Sequence, residues 1–302
     1  MRVLITGASG FVGRHLVDYL ASHLPTADLH GTTISVSERT PVISLHHIDL
    51  KEPESVRHLL QQVRPDCIYH LAAQASPRRS FMDPWGTLEN NIRAQLNVLQ
   101  ACVDLRVDAR LLIISSAEIY QSGDQPIPED AAFNPTSPYG VSKIAQDMLA
   151  LQYYLAYQLP VMRARPFNHI GPGQGEGFVA PDFAMQIARI EAGQQQPVLE
   201  VGNLSARRDF TDVRDVVRAY HLIVERGQPG QVYNVASGDT HSIQELLDTL
   251  LSLSTRRIEV RIDPTRFLPV DVPVKCGDAN RLRRATGWEP AIPFQQTLLD
   301  VL

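Results

Sequence analysis

Three shortages bound what this chain can be. Cysteine is scarce, with three in 302 residues at 67, 102 and 276, an odd number, widely spaced and set in apolar or strand-like contexts. No disulfide framework can be drawn from them, and metal-ligand spacing is absent throughout, so buried free thiols in a reducing cytosol are expected. Long apolar runs are missing: no stretch could span a bilayer, and no signal peptide is readable because the first strand begins at residue 2 or 3. Positive charge is in deficit, 28 Lys and Arg against 33 Asp and Glu for a net charge of -5. No basic stripe is left for a nucleic-acid backbone, and a nucleotide ligand would have to be met by a few placed cations. A cytoplasmic globular protein with neither nucleic-acid nor membrane partners is expected.

What is present is an ordinary globular composition, 44% hydrophobic and 20% charged, with no low-complexity run and no internal repeat. The length suits one big domain or two intimately joined ones. Short β-rich runs at Val3–Thr6, Leu29–Thr33, Val42–His47, Cys67–Leu71, Leu111–Ser115 and Pro160–Ala164 alternate with helical patterns at Val12–His23, Pro53–Val63 and Leu88–Leu105. Alternation of this kind predicts an α/β fold with a doubly wound parallel sheet. Ligands of such sheets lie over the carboxyl ends of the strands, where Gly7, Asp49, Ala72, Ala73, Ser115, Ser116 and the segment 165–168 fall. A glycine-rich turn from Gly171 to Gly177 changes the texture. Beyond it the pattern reads helix (Asp182–Ala192), strand (Val198–Val201), the segment R-R-D-F-T-D-V-R-D, a further helix, a strand (Gln231–Val235) and a Pro-rich end. Residues 1–165 are expected to form the main domain and 166–302 mainly a smaller α/β domain for substrate, partly folding back on the first.

Two motifs carry chemistry. The chain opens M-R-V-L-I-T-G-A-S-G-F-V-G, an apolar strand running into a turn with glycines at 7, 10 and 13 and then a helix. Such glycines let backbone amides approach a pyrophosphate, held by the positive end of the helix. Downstream, S-P-Y-G-V-S-K sits at a helix start, with Ser137 as cap and Pro138 in the first turn. Tyr139 and Lys143, spaced i and i+4, share one face. An ammonium near a phenol favours phenolate, so Lys143 is expected to lower the Tyr139 pKa from about 10 toward the working range of a proton donor or acceptor. Each motif alone is common; the ordered pair is far more specific.

The pair, over nearly the whole chain, resembles the extended short-chain dehydrogenase/reductase family that acts on nucleotide sugars, in which G-x-x-G-x-x-G replaces the G-x-G-x-x-G fingerprint. The resemblance implies a Rossmann-type domain with the cofactor on Gly7, Gly10, Phe11, Val12 and Gly13, on Asp49 and Leu50 near the adenine, and on Leu71, Ala72 and Ala73 beside the nicotinamide ribose. At the end of the second strand, L-H-G-T-T-I-S-V-S, no acid stands to bind ribose hydroxyls, and Thr33, Ser35 or Arg39 could serve a 2′-phosphate. NADP(H) is therefore favoured, with NAD(H) the alternative. Asp49 could instead cap the helix beginning near Pro53, and Asn91, in a helix, brace the structure and touch no ligand.

The resemblance also carries catalytic roles onto Ser116, Glu118, Tyr139 and Lys143. Ser116 would hydrogen-bond the C4 oxygen of the sugar, Tyr139 transfer the proton, and Lys143 hold ribose hydroxyls. Ser115, one residue earlier in the strand, should point the other way. Glu118, in S-S-A-E-I-Y, aligns with the glutamate that 4,6-dehydratases of the family use to remove the C5 proton and that the reductases keep, and it disfavours an epimerase. It could equally only orient Tyr139 or substrate hydroxyls. On the substrate side Asn168 and Arg208 would meet the diphosphate and Phe178 and Val179 line the base. Arg207 reads rather as a solvated charge, and His169 as a structural histidine. The V-G-N-L opening favours guanine. Within the family the chain is most similar to the GDP-4-keto-6-deoxy-D-mannose reductase group, through V-Y-N-V-A-S-G, D-V-P-V and T-G-W-E-P. Gln121 departs from it, where that group usually has glycine. The implied activity is NADPH-dependent reduction of a C4 ketone to GDP-D-rhamnose, with GDP-mannose 4,6-dehydration as the alternative and a non-catalytic dinucleotide-binding protein less favoured. The helices carrying Asn91–Leu105 and Tyr139–Tyr157 are those the family pairs in a homodimer.

Overall fold

The computed structural model describes residues 1–34, 42–123, 125–267 and 272–302. Its first half alternates as the pattern predicts: β1 (Arg2–Thr6), α1 (Phe11–His23), β2 (Asp28–Thr33), β3 (Ser44–His47), α2 (Pro53–Val63), β4 (Cys67–His70), α3 (Pro77–Met82), α4 (Pro84–Asp104), β5 (Arg110–Ile114), α5 (Pro138–Tyr157) and β6 (Val161–Pro166). There follow β7 (Asn168–Ile170), α6 (Val179–Glu191), β8 (Val198–Val201), β9 (Arg207–Arg208), β10 (Phe210–Asp212), α7 (Val213–Arg226), β11 (Val232–Val235), β12 (His241–Ser242), α8 (Ile243–Leu253), β13 (Glu259–Ile262), β14 (Val274–Lys275), α9 (Asn280–Thr286) and α10 (Phe294–Val301).

Seven strands form one parallel sheet in the order β11-β6-β5-β4-β1-β2-β3. Of its inner strands β1 and β5 carry mostly apolar residues, RVLIT and RLLII, as expected where helices cover both faces. Along β1 the side chains alternate between two cores. Val3 and Ile5 join Leu16 and Leu20 of α1 and Val216 and Ile223 of α7, whereas Leu4 joins Val56 and Leu60 of α2 and Val98 and Leu99 of α4. The strand order reverses between β1 and β4, which opens a crevice at their carboxyl ends.

Several strand ends differ from the local pattern by one or two residues, and at two of them the reason lies in the partner. The strand β4 stops at His70, where its last pairing, with Thr6, ends as β1 turns at Gly7. The strand β6 runs on to Pro166 because Arg165 and Pro166 pair with Asn234 and Val235 of β11. Although α7 and β11 lie beyond residue 166, they belong to the sheet layer. Of the other elements, α9 joins the first core through Leu282, and β7, α6, β8, α8 and α10 gather around a third core that includes Ile170, Phe183, Leu199, Leu246 and Leu298. Here the strands pair in small sets: β7 with β10, β8 with β13, and β9 between β12 and β14.

The helix that matters most is α5. Ser137 caps it, its hydroxyl accepting from the Gly140 amide at 3.1 Å, with Pro138 in the first turn. Its middle is tied down by Asp147, fully buried, whose carboxylate accepts from Arg163 Nη1 and Arg165 Nε at 2.8 Å each. Arg165 also donates to the Tyr120 hydroxyl, at 2.8 Å, and that hydroxyl donates to Asn234. This paired and hydrogen-bonded network fixes the helix against β6 and β11.

Candidate active site

The crevice begins with the turn after β1. Gly7 has φ of 70°, a left-handed conformation that favours glycine, and a Cβ there would stand 3.0 Å from the Ala72 backbone. At Gly13 a Cβ would come within 2.3 Å of the Gly7 carbonyl oxygen, so the helix can approach the turn only without a side chain. Gly10 caps α1 with no side-chain hydrogen bond, leaving the first-turn amides, including those of Phe11 and Val12, without intrahelical partners. A turn that a Cβ would fill, leading to an uncapped helix N-terminus, fits a pyrophosphate. The end of β2 braces it: Thr32 Oγ1 accepts from the Gly7 amide at 3.2 Å, and Thr33 Oγ1 lies 2.8 Å from Ser9 Oγ. Thr33 is thus buried and in part committed to the turn. Ser35 and Arg39 lie outside the described residues.

Asp49 does not cap α2. The cap is Glu52, without a side-chain bond, while the exposed Asp49 carboxylate accepts from the Lys51 amide at 2.9 Å and pairs with its ammonium at 3.6 Å. Leu50 is buried beside it. Across the crevice Leu71, Ala72 and Ala73 follow β4, the Ala72 amide donating to Thr6 Oγ1 at 3.2 Å. Asn91 is a brace: fully buried on α4, it accepts from the Gln74 amide at 2.7 Å and donates to the Gln74 carbonyl and to Ser142 of α5. It therefore ties this loop to α5. His70 is buried beneath the loop, 2.9 Å from Thr6 Oγ1; burial, with the charge of Lys143 adding, pushes it down to about 3, so it is neutral.

Ser116, Glu118, Tyr139 and Lys143 meet at the end of β5. Ser115 turns away, its hydroxyl toward the Lys143 carbonyl at 3.3 Å, and Ser116 accepts from the Glu118 amide at 3.1 Å as the cap of a single 3₁₀ turn, Ala117–Ile119. Burial pushes the Tyr139 phenol up to about 12, a hydrogen bond with Ser116 working against it and the Glu118 charge adding to it. The expected lowering by Lys143 is therefore not found. Lys143 is itself pushed down to about 7 by burial, donates to the Ile114 carbonyl at 2.9 Å and lies 5.8 Å from the Tyr139 ring centroid. Desolvation is the largest influence on both groups, and the tyrosine is held as a neutral phenol.

Glu118 has a partner no local pattern announces: its Oε1 lies 2.9 Å from the ammonium of Lys275, a buried residue of β14. In the β9–β14 ladder Lys275 stands opposite Arg208, so this lysine links the cluster of Ser116, Glu118, Tyr139 and Lys143 to the other half of the candidate site. That half is a cavity of about 250 Å³ to which Asn168, Phe178, Val179 and Arg208 all contribute. Two further cations, Arg78 and Arg266, line it; no motif marks either in the sequence, one standing in the short helix α3 and the other ending a single 3₁₀ turn, Pro264–Arg266. Arg208 Nη1 donates to the Val272 and Arg207 carbonyls at 2.7 and 2.9 Å. Arg207 faces elsewhere, donating to the Thr240 carbonyl at 2.6 Å and pairing with Glu245 at 3.4 Å. His169 is structural, its Nδ1 3.1 Å from the Phe167 carbonyl and its ring stacked on Phe11. Asp209, next to Arg208, is a buried anchor accepting from the amides of Ser237, Gly238 and Gly277.

A family model described as GDP-mannose 4,6 dehydratase matches residues 4–301. The chain belongs to that family. This places it among the extended short-chain dehydrogenases/reductases that its motifs resemble. Within the family it is similar to GDP-6-deoxy-D-mannose reductase of Pseudomonas aeruginosa, 40% identical over 305 residues that cover all of this chain and 96% of that protein. It is less similar to GDP-mannose 4,6 dehydratase 2 of Arabidopsis thaliana, at 30% identity over 97% of this chain and 83% of the relative. Among solved structures, RMD from Pseudomonas aeruginosa complexed with NADPH superposes with a TM-score of 0.87 at 39% identity, covering 100% of this chain and 97% of that one. Among the described residues no group of three or more His, Cys, Asp and Glu that could hold a metal ion occurs.

Proposed function

We propose that this protein is an NADPH-dependent reductase that converts the C4 ketone of GDP-4-keto-6-deoxy-D-mannose to GDP-D-rhamnose. The observation that carries the reading is the full-length match to GDP-6-deoxy-D-mannose reductase, which spans both chains and exceeds the match to the plant dehydratase. When bound, NADPH supplies the hydride. Gly7, Gly10, Phe11, Val12 and Gly13 would hold its pyrophosphate, Thr33, Asp49 and Leu50 its adenosine end, and Leu71, Ala72 and Ala73 its nicotinamide ribose. Ser116 donates a hydrogen bond to the ketone oxygen and Tyr139 gives that oxygen its proton. A tyrosine held as a phenol, with its pKa near 12, suits the reductive direction, in which it must be a donor. Lys143 holds ribose hydroxyls, while Asn168 and Arg208 meet the diphosphate and Phe178 and Val179 line the guanine.

In this reading residues 1–165 serve the dinucleotide and 166–302 mainly the nucleotide sugar. The enzyme works in the cytoplasm as a homodimer. Leu96 of α4 and Val141, Met148 and Leu155 of α5 are exposed apolar side chains on two helices that pack together, and they support pairing there. No helix among the described residues is long and apolar enough to cross a membrane.

The dehydratase reading keeps one specific support, the Glu118 carboxylate beside Tyr139. Nicotinamide absorbance separates the two. Stoichiometric NADPH oxidation on adding GDP-4-keto-6-deoxymannose, lost in Tyr139→Phe, is the expected result. A 4-keto sugar accumulating from GDP-mannose alone, with no NADPH consumed on the keto sugar, would replace the reductase by a dehydratase. A monomeric mass in sedimentation at micromolar concentration would remove the homodimer.

A further inference from the structure

A ketone acidifies the hydrogens on the carbons beside it. A reductase that binds a 4-keto sugar therefore faces a side reaction: a free carboxylate near the ketone can take a hydrogen from C3 or C5 and exchange or invert that centre before hydride arrives. Glu118 stands close enough to matter. Its main chain abuts the residue after Tyr139, where a Cβ on Gly140 would lie 2.8 Å from the Glu118 carbonyl oxygen.

The carboxylate is not free. Its Oε1 is 2.9 Å from Lys275 Nζ, and the Lys275 side chain is only 4% exposed while that of Glu118 is 29% exposed. Among the described residues Glu118 is the one carboxylate paired with Lys275. The lysine comes from a rigid place. Its carbonyl accepts from the Asp209 amide at 3.0 Å, the next carbonyl accepts from Ile127 at 2.9 Å, and the Gly277 amide donates to the buried Asp209 carboxylate at 3.1 Å. An ammonium fixed this firmly draws Glu118 toward β14 and occupies one of its two oxygens.

We infer that Lys275 sets reaction specificity: it locks Glu118 in an ion pair that withholds the carboxylate from proton transfer, so the ketone is reduced without exchange of the hydrogens beside it. The inference rests on the reductase reading above. For Glu118 to act as base, the electron pair of the C5–H bond would move into a C4–C5 double bond, the C4 oxygen would take the charge as an enolate, and the proton would land on the carboxylate. That would neutralise the only described partner of a buried ammonium, and a buried charge stripped of its partner is strongly unfavourable. Lys275 is thus a positioning residue that acts through Glu118.

The test is proton NMR of GDP-4-keto-6-deoxymannose in D₂O with NADP⁺ and no reductant, following loss of the C3 and C5 signals. In the natural enzyme, exchange is expected to stay at the solvent background and to be the same in Glu118→Gln. Lys275→Met should raise it roughly 100-fold, the low end of what a positioned general base contributes. Lys275→Arg should restore protection, and the double variant Lys275→Met/Glu118→Gln should fall back to background. Exchange in a folded, NADPH-binding Lys275→Met protein no faster than in the natural enzyme would overturn the inference, as would fast exchange surviving in the double variant. If Lys275→Met does not fold, the comparison of natural enzyme with Glu118→Gln still decides: slower exchange in Glu118→Gln would mean that Glu118 already works as a base. A natural enzyme that oxidises no NADPH with the keto sugar overturns the reductase reading; one that reduces normally while the exchange result fails overturns only the role of Lys275.

Discussion

The sheet crevice and the smaller lobe each bring one buried lysine to the stretch at the end of β5, and they treat it oppositely. Lys143, from α5, faces the Ile114 carbonyl and, among the described residues, pairs with no carboxylate, so burial dominates and brings its pKa to about 7. Lys275, from β14, is as deeply buried but meets Glu118. The first arrangement keeps a nitrogen close to the point where it gains and loses a proton near neutral pH, which suits a group that works beside a proton-transferring phenol. The second joins the ammonium and a carboxylate in an ion pair, the restraint inferred above for Glu118. The same side chain at nearly the same depth thus becomes a working group or a restraint according to whether a carboxylate is delivered to it.

The sharpest way to break this comparison is at the working side. Tyr139→Phe should lower kcat by roughly 10²–10⁴-fold, the usual contribution of a positioned general acid, while NADPH binding followed by nicotinamide fluorescence changes little. Retention of most of the turnover would move the proton donor elsewhere in the crevice.

A second perturbation asks whether pairing inside the sheet half behaves like pairing in the lobe. Asp147 holds Arg163 and Arg165 together with no exposure. Asp147→Ala leaves two buried guanidinium groups without their carboxylate, and breaking a buried pair in this way costs about 3–5 kcal/mol. Because α5 carries Tyr139 and Lys143, denaturant midpoint and kcat should fall together. A stability loss well below this range would mean that Tyr120 and the Glu129 carbonyl, both accepting from Arg165, hold the helix without Asp147.

The third concerns pH. An ammonium with a native pKa of about 7 against an ordinary 10.5 destabilises the folded state, because the unfolded chain binds the proton more tightly. That penalty is present in full below pH 7, shrinks as the pH rises above it and vanishes above 10.5. Lys143→Met removes the penalty and, after the lost bond to Ile114 is set against it, should be more stable than the natural protein by about 2 kcal/mol at pH 7. The gain should fade toward pH 10 while activity is lost at every pH. A stability difference that does not change with pH would show that Lys143 keeps an ordinary pKa. Lys275→Met should show no comparable gain, since it strips Glu118 of its partner.

The two halves also differ in how much of them could be read from the chain. The strand–turn–helix at Gly7 to Gly13, the cap at Ser137 and the i, i+4 pair Tyr139 and Lys143 are local, so spacing reveals them. Strand ends were less legible because a partner decides them, as Asn234 does for Arg165. The partnership of Glu118 and Lys275 joins residues 157 positions apart, and no local pattern encodes it. Nor could the pKa direction of Tyr139 be read. Proximity to a lysine is visible in the spacing, but burial of both groups is a property of the folded site, and burial wins. The alternative reading of Asp49 as a helix cap falls because its own neighbour Lys51 claims the carboxylate. In the lobe strands of two to four residues pair in small sets, and its cavity-lining Arg266 carried no more signal than Arg78 of α3 on the other wall.

The smallest effect separates two adjacent arginines of the lobe. Arg208 lines the cavity, its Nη1 held by the Val272 and Arg207 carbonyls, so its guanidinium is oriented before any diphosphate arrives. Hydrogen bonds to charged groups contribute about 1.5–3 kcal/mol, and Arg208→Ala should accordingly raise KM for the GDP-sugar roughly 10- to 100-fold with kcat little changed, the signature of lost uniform binding. Arg207 alternates to the other side and binds Thr240 and Glu245, with side chains half exposed. Its replacement by Ala should shift stability by at most about 1 kcal/mol and leave KM alone. Equal effects of the two substitutions on KM would mean that the strand merely needs its charge, whereas a difference confined to Arg208 would tie diphosphate recognition to the strand that also delivers Lys275 to Glu118.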